Sequence, residues 1–251
     1  RFSPLMCNVT SLTYNNRYQV TSKSGNDGKP VFFYYDEWDR LKYTVDDEGN
    51  LMSVNETYIR PWYANNGATN KHFKKTVKIK DQGYSINDYP TGIPSDKMAI
   101  SISYMDDFGR EIQTQAIGLS PTEKNVIQHI EYENYSGLKP RSYLPYTATG
   151  EGSYRPNALS ETMQFYSQGG HPPKIQWTDF PFAENIFDQS PLSRVVRQGA
   201  AGEEWQPING HYKRYDFSVV GMNELGDVYI WRPNGGWDGA HGVGPHEPGF
   251  L

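Results

Sequence analysis

Apolar and polar residues alternate with a period of two along much of the chain, the pattern of half-buried strands. Val31-Phe32-Phe33-Tyr34-Tyr35 and Arg40-Leu41-Lys42-Tyr43-Thr44-Val45 flank the turn Asp36-Glu37-Trp38-Asp39 and read as a hairpin. Within its second strand Leu41, Tyr43 and Val45 share one face, and Arg40, Lys42 and Thr44 the other. Asp46-Asp47-Glu48-Gly49-Asn50 turns the chain again, and Leu51 to Ile59 is a third strand. From Met98 the plan repeats: Ile100 to Tyr104 alternates, Asp106-Asp107-Phe108-Gly109 turns, and Arg110 to Gln115 returns. Val126 to Tyr132 and Lys139 to Leu144 flank a third bend at Asn134 to Gly137, with Pro140 confining the second run to an edge.

Other stretches are less regular. Residues 60–97 hold one alternating strand, Thr76-Val77-Lys78-Ile79-Lys80, among breakers and read as a connection between two β regions. Asn157 to Tyr166 is the one helical segment, with Leu159, Met163 and Tyr166 three to four apart and Asn157 or Ser160 as cap. Phe187 to Val196 reads as a turn and then a strand, and Tyr212 to Val220 with Val228 to Trp231 as a closing hairpin. Gly235 to Leu251 lacks periodicity and reads as a linker or tail. The expected organisation is 1–97, 98–234 and 235–251, in an all-β fold of antiparallel hairpins with at most one short helix.

Composition supports this reading. Among 251 residues, 19 Tyr, 24 Gly and 17 Pro favour strands separated by turns. A formal net charge of -5 is the wrong sign for tracking phosphates, so nucleic acid is excluded as an expected partner. No apolar run is long enough to span a bilayer. A single cysteine, Cys7, excludes an intrachain disulfide and a thiolate zinc site.

A local unit recurs. An aromatic, an acidic residue, a turn and an arginine entering a strand occur together in four places. These are Tyr35-Asp36 with Arg40, Tyr104 and Asp106 with Gly109-Arg110, Tyr132-Glu133 with Gly137 and Arg141, and Phe187-Asp188 with Arg194. The chemistry suits a bend: the carboxylate accepts from turn amides, glycine takes positive φ, and arginine pairs with the carboxylate while lying on the ring.

At these residues the chain resembles the RHS, or YD-repeat, proteins, whose unit runs Tyr-Asp, two variable residues, Gly-Arg and a strand. Residues 98–206 are further similar to the amino-terminal region that precedes the repeats in many Bacteroidota members. The stretches that carry this are Tyr104 to Arg110, Ser142-Tyr-Leu-Pro-Tyr146, Tyr154-Arg-Pro-Asn-Ala-Leu159, Ser190-Pro-Leu-Ser-Arg194 and Gln198 to Gln206. The resemblance implies a β strip curving into a shell that carries or displays an effector, secreted or at the cell surface, with the remainder of an RHS-type polypeptide as partner. Three departures stand out: Asp39 replaces the glycine, Met105 separates Tyr104 from Asp106, and Leu138 follows Gly137 where Arg is wanted. They predict hairpins kept without the Arg to carboxylate pair. The family's self-cleaving segment is not visible in the sequence.

Catalytic signatures such as G-x-S-x-G, H-E-x-x-H, a P-loop or a dinucleotide fingerprint are missing from the sequence, and no enzyme, cofactor or metal is expected. His211, His241 and His246 are irregularly spaced as metal ligands. Asp106-Asp107 and Glu203-Glu204 are adjacent, so on a strand each pair points to opposite faces. Trp62-Tyr63, Trp177, Trp205, Trp231 and Trp237 offer rings for sugar stacking, or for packing between layers. The expected function is a structural, encapsulating module; the rival readings are a carbohydrate-binding β domain of a surface glycan system and a glycoside-active enzyme.

Overall fold

The computed structural model describes residues 10–25, 28–59, 71–133, 136–169, 172–217, 229–231 and 237–239. The strands are β1 (Ser11–Tyr14), β2 (Val20–Ser24), β3 (Pro30–Tyr35), β4 (Leu41–Val45), β5 (Leu51–Tyr58), β6 (His72–Ile79), β7 (Met98–Met105), β8 (Glu111–Ala116), β9 (Asn125–His129), β10 (Arg141–Tyr143) and β11 (Tyr146–Ala148). Helix α1 (Ala158–Tyr166) follows, then β12 (Phe182–Phe187), β13 (Val195–Gln198), β14 (Lys213–Arg214), β15 (Tyr229–Trp231) and β16 (Trp237–Gly239). The fold is mostly antiparallel β, as the alternation predicts. No helix among the described residues is long and apolar enough to cross a membrane.

One ten-stranded sheet runs in the order β1 to β9 and then β11; a four-stranded sheet runs β10-β12-β13-β14. Cross-strand register explains the first sheet's two faces. Tyr43, Val54, Val77 and Ile100 lie in one row, whereas Thr44, Ser53, Lys78 and Ala99 lie in a row on the opposite face. The apolar rows are covered by chain that loops back over them. Val45, Leu51, Val54, Val77 and Ile93 form a core beneath Tyr84, Ile86 and Tyr89 of the β6–β7 connection. Each such buried aliphatic side chain contributes about 1.5–3 kcal/mol.

Farther along, residues 150–157 lie across β7 and β8 and are held by side chains. Gln113 Nε2 donates to the Arg155 carbonyl (2.9 Å), and the Arg155 amide donates to Gln113 Oε1 (3.1 Å). Gln115 Nε2 reaches the Ser153 carbonyl at 2.8 Å, and the Tyr104 hydroxyl donates to that of Gly152. Helix α1 then packs on β9 and β11. Both glutamines are buried and bonded, so their amides substitute for the missing strand partner of a loop backbone.

Several expectations need correction. Residues 60–97 are not a connection between regions, because β6 lies within the sheet and pairs with β7 from His72↔Met105 to Ile79↔Met98. The division at residue 97 therefore falls inside one sheet. Its alternation extends through Phe73, Val77 and Lys74, Thr76, Lys78, longer than the five residues recognised by pattern. Strand β9 pairs with β11, not with Lys139 to Leu144, which meets it only through an Ile130–Ser142 bridge and joins the second sheet as its edge. Helix α1 buries Ala158, Thr162 and Tyr166 instead of Leu159 and Met163. Small residues let the helix lie close to the sheet, and the Thr162 hydroxyl is satisfied by the Ala158 carbonyl at 2.8 Å. The pairing of β15 with β16 crosses the expected boundary at residue 235. Much of the expected closing hairpin, residues 218–228, and most of the tail, residues 240–251, lie outside the described residues.

Candidate functional site: a recurrent bulged turn

One turn geometry recurs at the bends of both sheets. In the bend that opens at Asp36, the Asp36 amide donates to the Arg40 carbonyl (2.9 Å) and the Asp39 amide donates back to Asp36 (3.1 Å). Asp36 Oδ1 accepts the amides of Trp38 and Arg40, both at 2.9 Å, and Oδ2 accepts Arg40 Nε at 2.8 Å. The residue before re-entry, Asp39, takes left-handed backbone with φ 60°, and register shifts between Tyr34 and Tyr35. This is a tight turn closed by a bulge, and the carboxylate satisfies amides that the ladder leaves open.

The Asp106 bend has the same bonds. Phe108 and Arg110 amides reach Oδ1 at 2.9 Å, Arg110 Nε reaches Oδ2 at 2.7 Å, and Gly109 takes φ 77°. Around Asp188 two extra residues lengthen the loop, yet the Arg194 amide (3.0 Å) and Nε (2.9 Å) close on the carboxylate as before, with Ser193 at φ 47°. Partial burial raises the Asp36 and Asp106 carboxyls, but the amides and guanidinium groups of Arg40 and Arg110 outweigh it and hold both below the ordinary range. The Ser190 hydroxyl, seconded by Arg194, holds Asp188 down to about 2.

The predicted loss of the ion pair is wrong for two departures and right for the third. Asp39 adopts the glycine backbone at a conformational cost and leaves Arg40–Asp36 intact at 2.8 Å. Met105 sits at the bulge, so the spacing from Tyr104 does not disturb Arg110–Asp106 (2.7 Å). At Glu133 the hairpin bonds persist, from Glu133 N to the Leu138 carbonyl and from Gly137 N to Glu133, but Arg141 pairs with Glu184 instead. The aromatic positions differ in role. The Tyr35 hydroxyl donates to the Val20 carbonyl at 2.8 Å, Tyr104 is buried under residues 150–154, and Phe187 is half-buried beside the Asp188 turn.

Three further copies escaped sequence reading because they lack arginine. At Asp46 the amides of Glu48 and Asn50 bond Oδ1, and Asn50 Nδ2 replaces guanidinium at Oδ2 (2.9 Å), with Gly49 at φ 87°. At Asn15 the amides of Arg17 and Gln19 bond Oδ1, with Tyr18 at φ 60°. Ser120 supplies its hydroxyl to the Lys124 amide, with Glu123 at φ 55°. The detectable signal is a short polar acceptor followed four residues later by a side chain able to return.

The other candidates do not converge. Asp106 is consumed by its turn, and Asp107 faces His72 at 3.6 Å. Glu203 and Glu204 lie on one exposed 3-10 turn, and the neighbouring His211 ring contacts Trp205 and bonds the Glu204 carbonyl. Among the described residues no group of three or more His, Cys, Asp or Glu side chains gathers as metal ligands. Trp177 and Trp205 are exposed on separate loops. Trp62, Tyr63, His241 and His246 lie outside the described residues, as do the side chains of Trp231 and Trp237.

Comparison with curated proteins gives no match. Among solved structures, the crystal structure of TcdB2-TccC3-TEV matches with a TM-score of 0.51 and 12% identity, over 83% of this chain and 13% of that one. The crystal structure of TcdB2-TccC3 matches with a TM-score of 0.49 and 13% identity, over 76% of this chain and 10% of that one. The chain thus spans a small fraction of either structure, and the first likeness is one of fold. The family described as Domain of unknown function (DUF6443) matches residues 75–219, more than half the chain, and to this family the chain belongs.

Proposed function

We propose that the chain is a structural β module of an RHS-type protein, a section of wall in a secreted or surface-displayed shell that carries an effector, of the kind found in Bacteroidota. It catalyses nothing itself and partners with the remainder of that polypeptide. The observation that carries this reading is the repeated bulged turn. The same bonds close six bends, and they occupy the carboxylates and guanidinium groups that a reaction centre would need free. Fold likeness to TcdB2-TccC3-TEV supports it, since that match extends over most of this chain and a small part of a far longer one. A ten-stranded open sheet with its faces covered locally by its own loops also suits a strip that continues by addition of hairpins.

The test is protease protection of the effector region in the full parent polypeptide. Protection that is lost when Asp106→Ala and Arg110→Ala open one bend supports the wall. An effector equally protected after residues 10–217 are deleted overturns it. Glycan binding by the isolated chain, abolished by Trp205→Ala at unchanged melting temperature, replaces it with the carbohydrate-binding reading.

A further inference from the structure

The two rims of the ten-stranded sheet differ in a way that the wall reading does not use. Turns of β1–β2, β3–β4 and β7–β8, and the end of β5, share one rim; the Arg17–Asp39 ion pair at 2.5 Å ties the first two of them together. Each of these four hairpins thrusts one large apolar side chain into solvent: Tyr18 (89% exposed), Trp38 (71%), Ile59 (62%) and Phe108 (85%). On the opposite rim, bends 46–50, 80–97 and 117–124 expose one large apolar residue among those described, Leu119. Elsewhere in this sheet such side chains are turned toward the covered face, so the segregation is not a general surplus of apolar residues.

We infer that this rim is a self-association surface that docks against the same rim of a second copy of the chain. Three features select a second copy over another occupant. Neighbouring hairpins on one rim stand about 10 Å apart, twice the strand spacing. Only a rim with the same repeat lets every tip fall between two tips of the other. The four side chains expose roughly 600 Å² of largely apolar surface. With the flanking turn atoms this approaches the about 800 Å² per partner of a standard interface. Charge is self-complementary under a two-fold axis. Reversing one rim sets the β1–β2 turn, whose one charged residue is Arg17, opposite the β7–β8 turn, where Asp106 and Asp107 outnumber Arg110.

Sedimentation velocity on the 251-residue chain over a concentration series tests this. A reversible dimer is expected, with dissociation constant raised at least tenfold in the double variant Trp38→Ser, Phe108→Ser. Leu119→Ser, on the opposite rim, leaves the constant unchanged. The melting temperature of each variant verifies its fold, and the exposed tips make large losses there unexpected. A wild-type chain that stays monomeric at several hundred micromolar overturns the inference. So does a dimer that survives the double variant, which locates the contact elsewhere, as at the open edge of β1. None of these results depends on the effector assay.

Discussion

The guanidinium of Arg110 lies 4.6 Å above the ring of Tyr132 while its Nε is bonded to Asp106, so one side chain closes its own bend and braces the start of the next. Tyr132 also receives Lys139 at 5.0 Å on the degenerate Glu133 bend, which has no arginine of its own. Arg110→Ala therefore removes a charge-assisted bond and a cation–π contact together. A loss of about 1.5–3 kcal/mol is expected, read as a lower denaturation midpoint at unchanged slope. Arg110→Lys restores little, because lysine cannot supply both the bond and the planar stack. Unchanged stability in Arg110→Ala contradicts the turn account.

Asp39 offers the opposite test. Its backbone sits at φ 60°, where a residue with a Cβ is strained by about 1–2 kcal/mol and glycine is not. Asp39→Gly gives up the exposed ion pair with Arg17, worth less than about 1 kcal/mol. A net stabilisation of about 0.5–1 kcal/mol follows, seen as a rise in melting temperature. Gly109→Asp is expected to do the reverse at the equivalent position.

How far the sequence reached depended on which residues carried the signal. Alternation placed β3, β4, β5, β7 and β8, because apolar and polar positions there match inside and outside. It underestimated β6, whose core face mixes Phe73, Lys75 and Val77, with Lys75 held by Glu56 at 3.0 Å. Gln113 and Gln115 could not be recognised as core, since an amide reads as surface until the loop carbonyls that it bonds are known. The bends were legible where arginine followed the acid and invisible at Asn15, Asp46 and Ser120, where a different side chain makes the same closure.

Acid should loosen these bends in order. Asp188 is held at about 2 in the folded chain against an ordinary value of 3.8. A depressed carboxyl stabilises fully above its unfolded pKa, and that contribution is lost as pH falls toward the folded one. Melting temperature should therefore drop between about pH 4 and pH 2, with Asp36, Asp46 and Asp106 acting in the same direction. Asp188→Asn is expected to be less stable than the wild type at neutral pH and to lose less across that window. Parallel curves for the two proteins would assign the acid transition to other groups.

Gly199 tests the closure of the second sheet. A Cβ there would lie 2.5 Å from the Trp205 carbonyl oxygen and 2.6 Å from Pro207 Cδ. Neither obstacle can rotate away, because one is backbone and the other belongs to a ring fused to it. The same Trp205 carbonyl accepts the Ala200 amide at 3.0 Å, and Gln206 Nε2 alongside it reaches the carbonyls of Phe182, Ala200 and Gly202. Relief of the clash must therefore shift a loop whose buried amide has no alternative partners. Gly199→Ala is expected to cost about 1–3 kcal/mol by overpacking. Limited proteolysis should then cut first between residues 199 and 212, while the ten-stranded sheet keeps its protection. At Gly152 the atoms nearest an added Cβ are the flexible ends of Ile102 and Ile117, but φ is +85°. Gly152→Ala is thus penalised by backbone strain and should free residues 150–155 instead, so the two variants expose different segments to the protease.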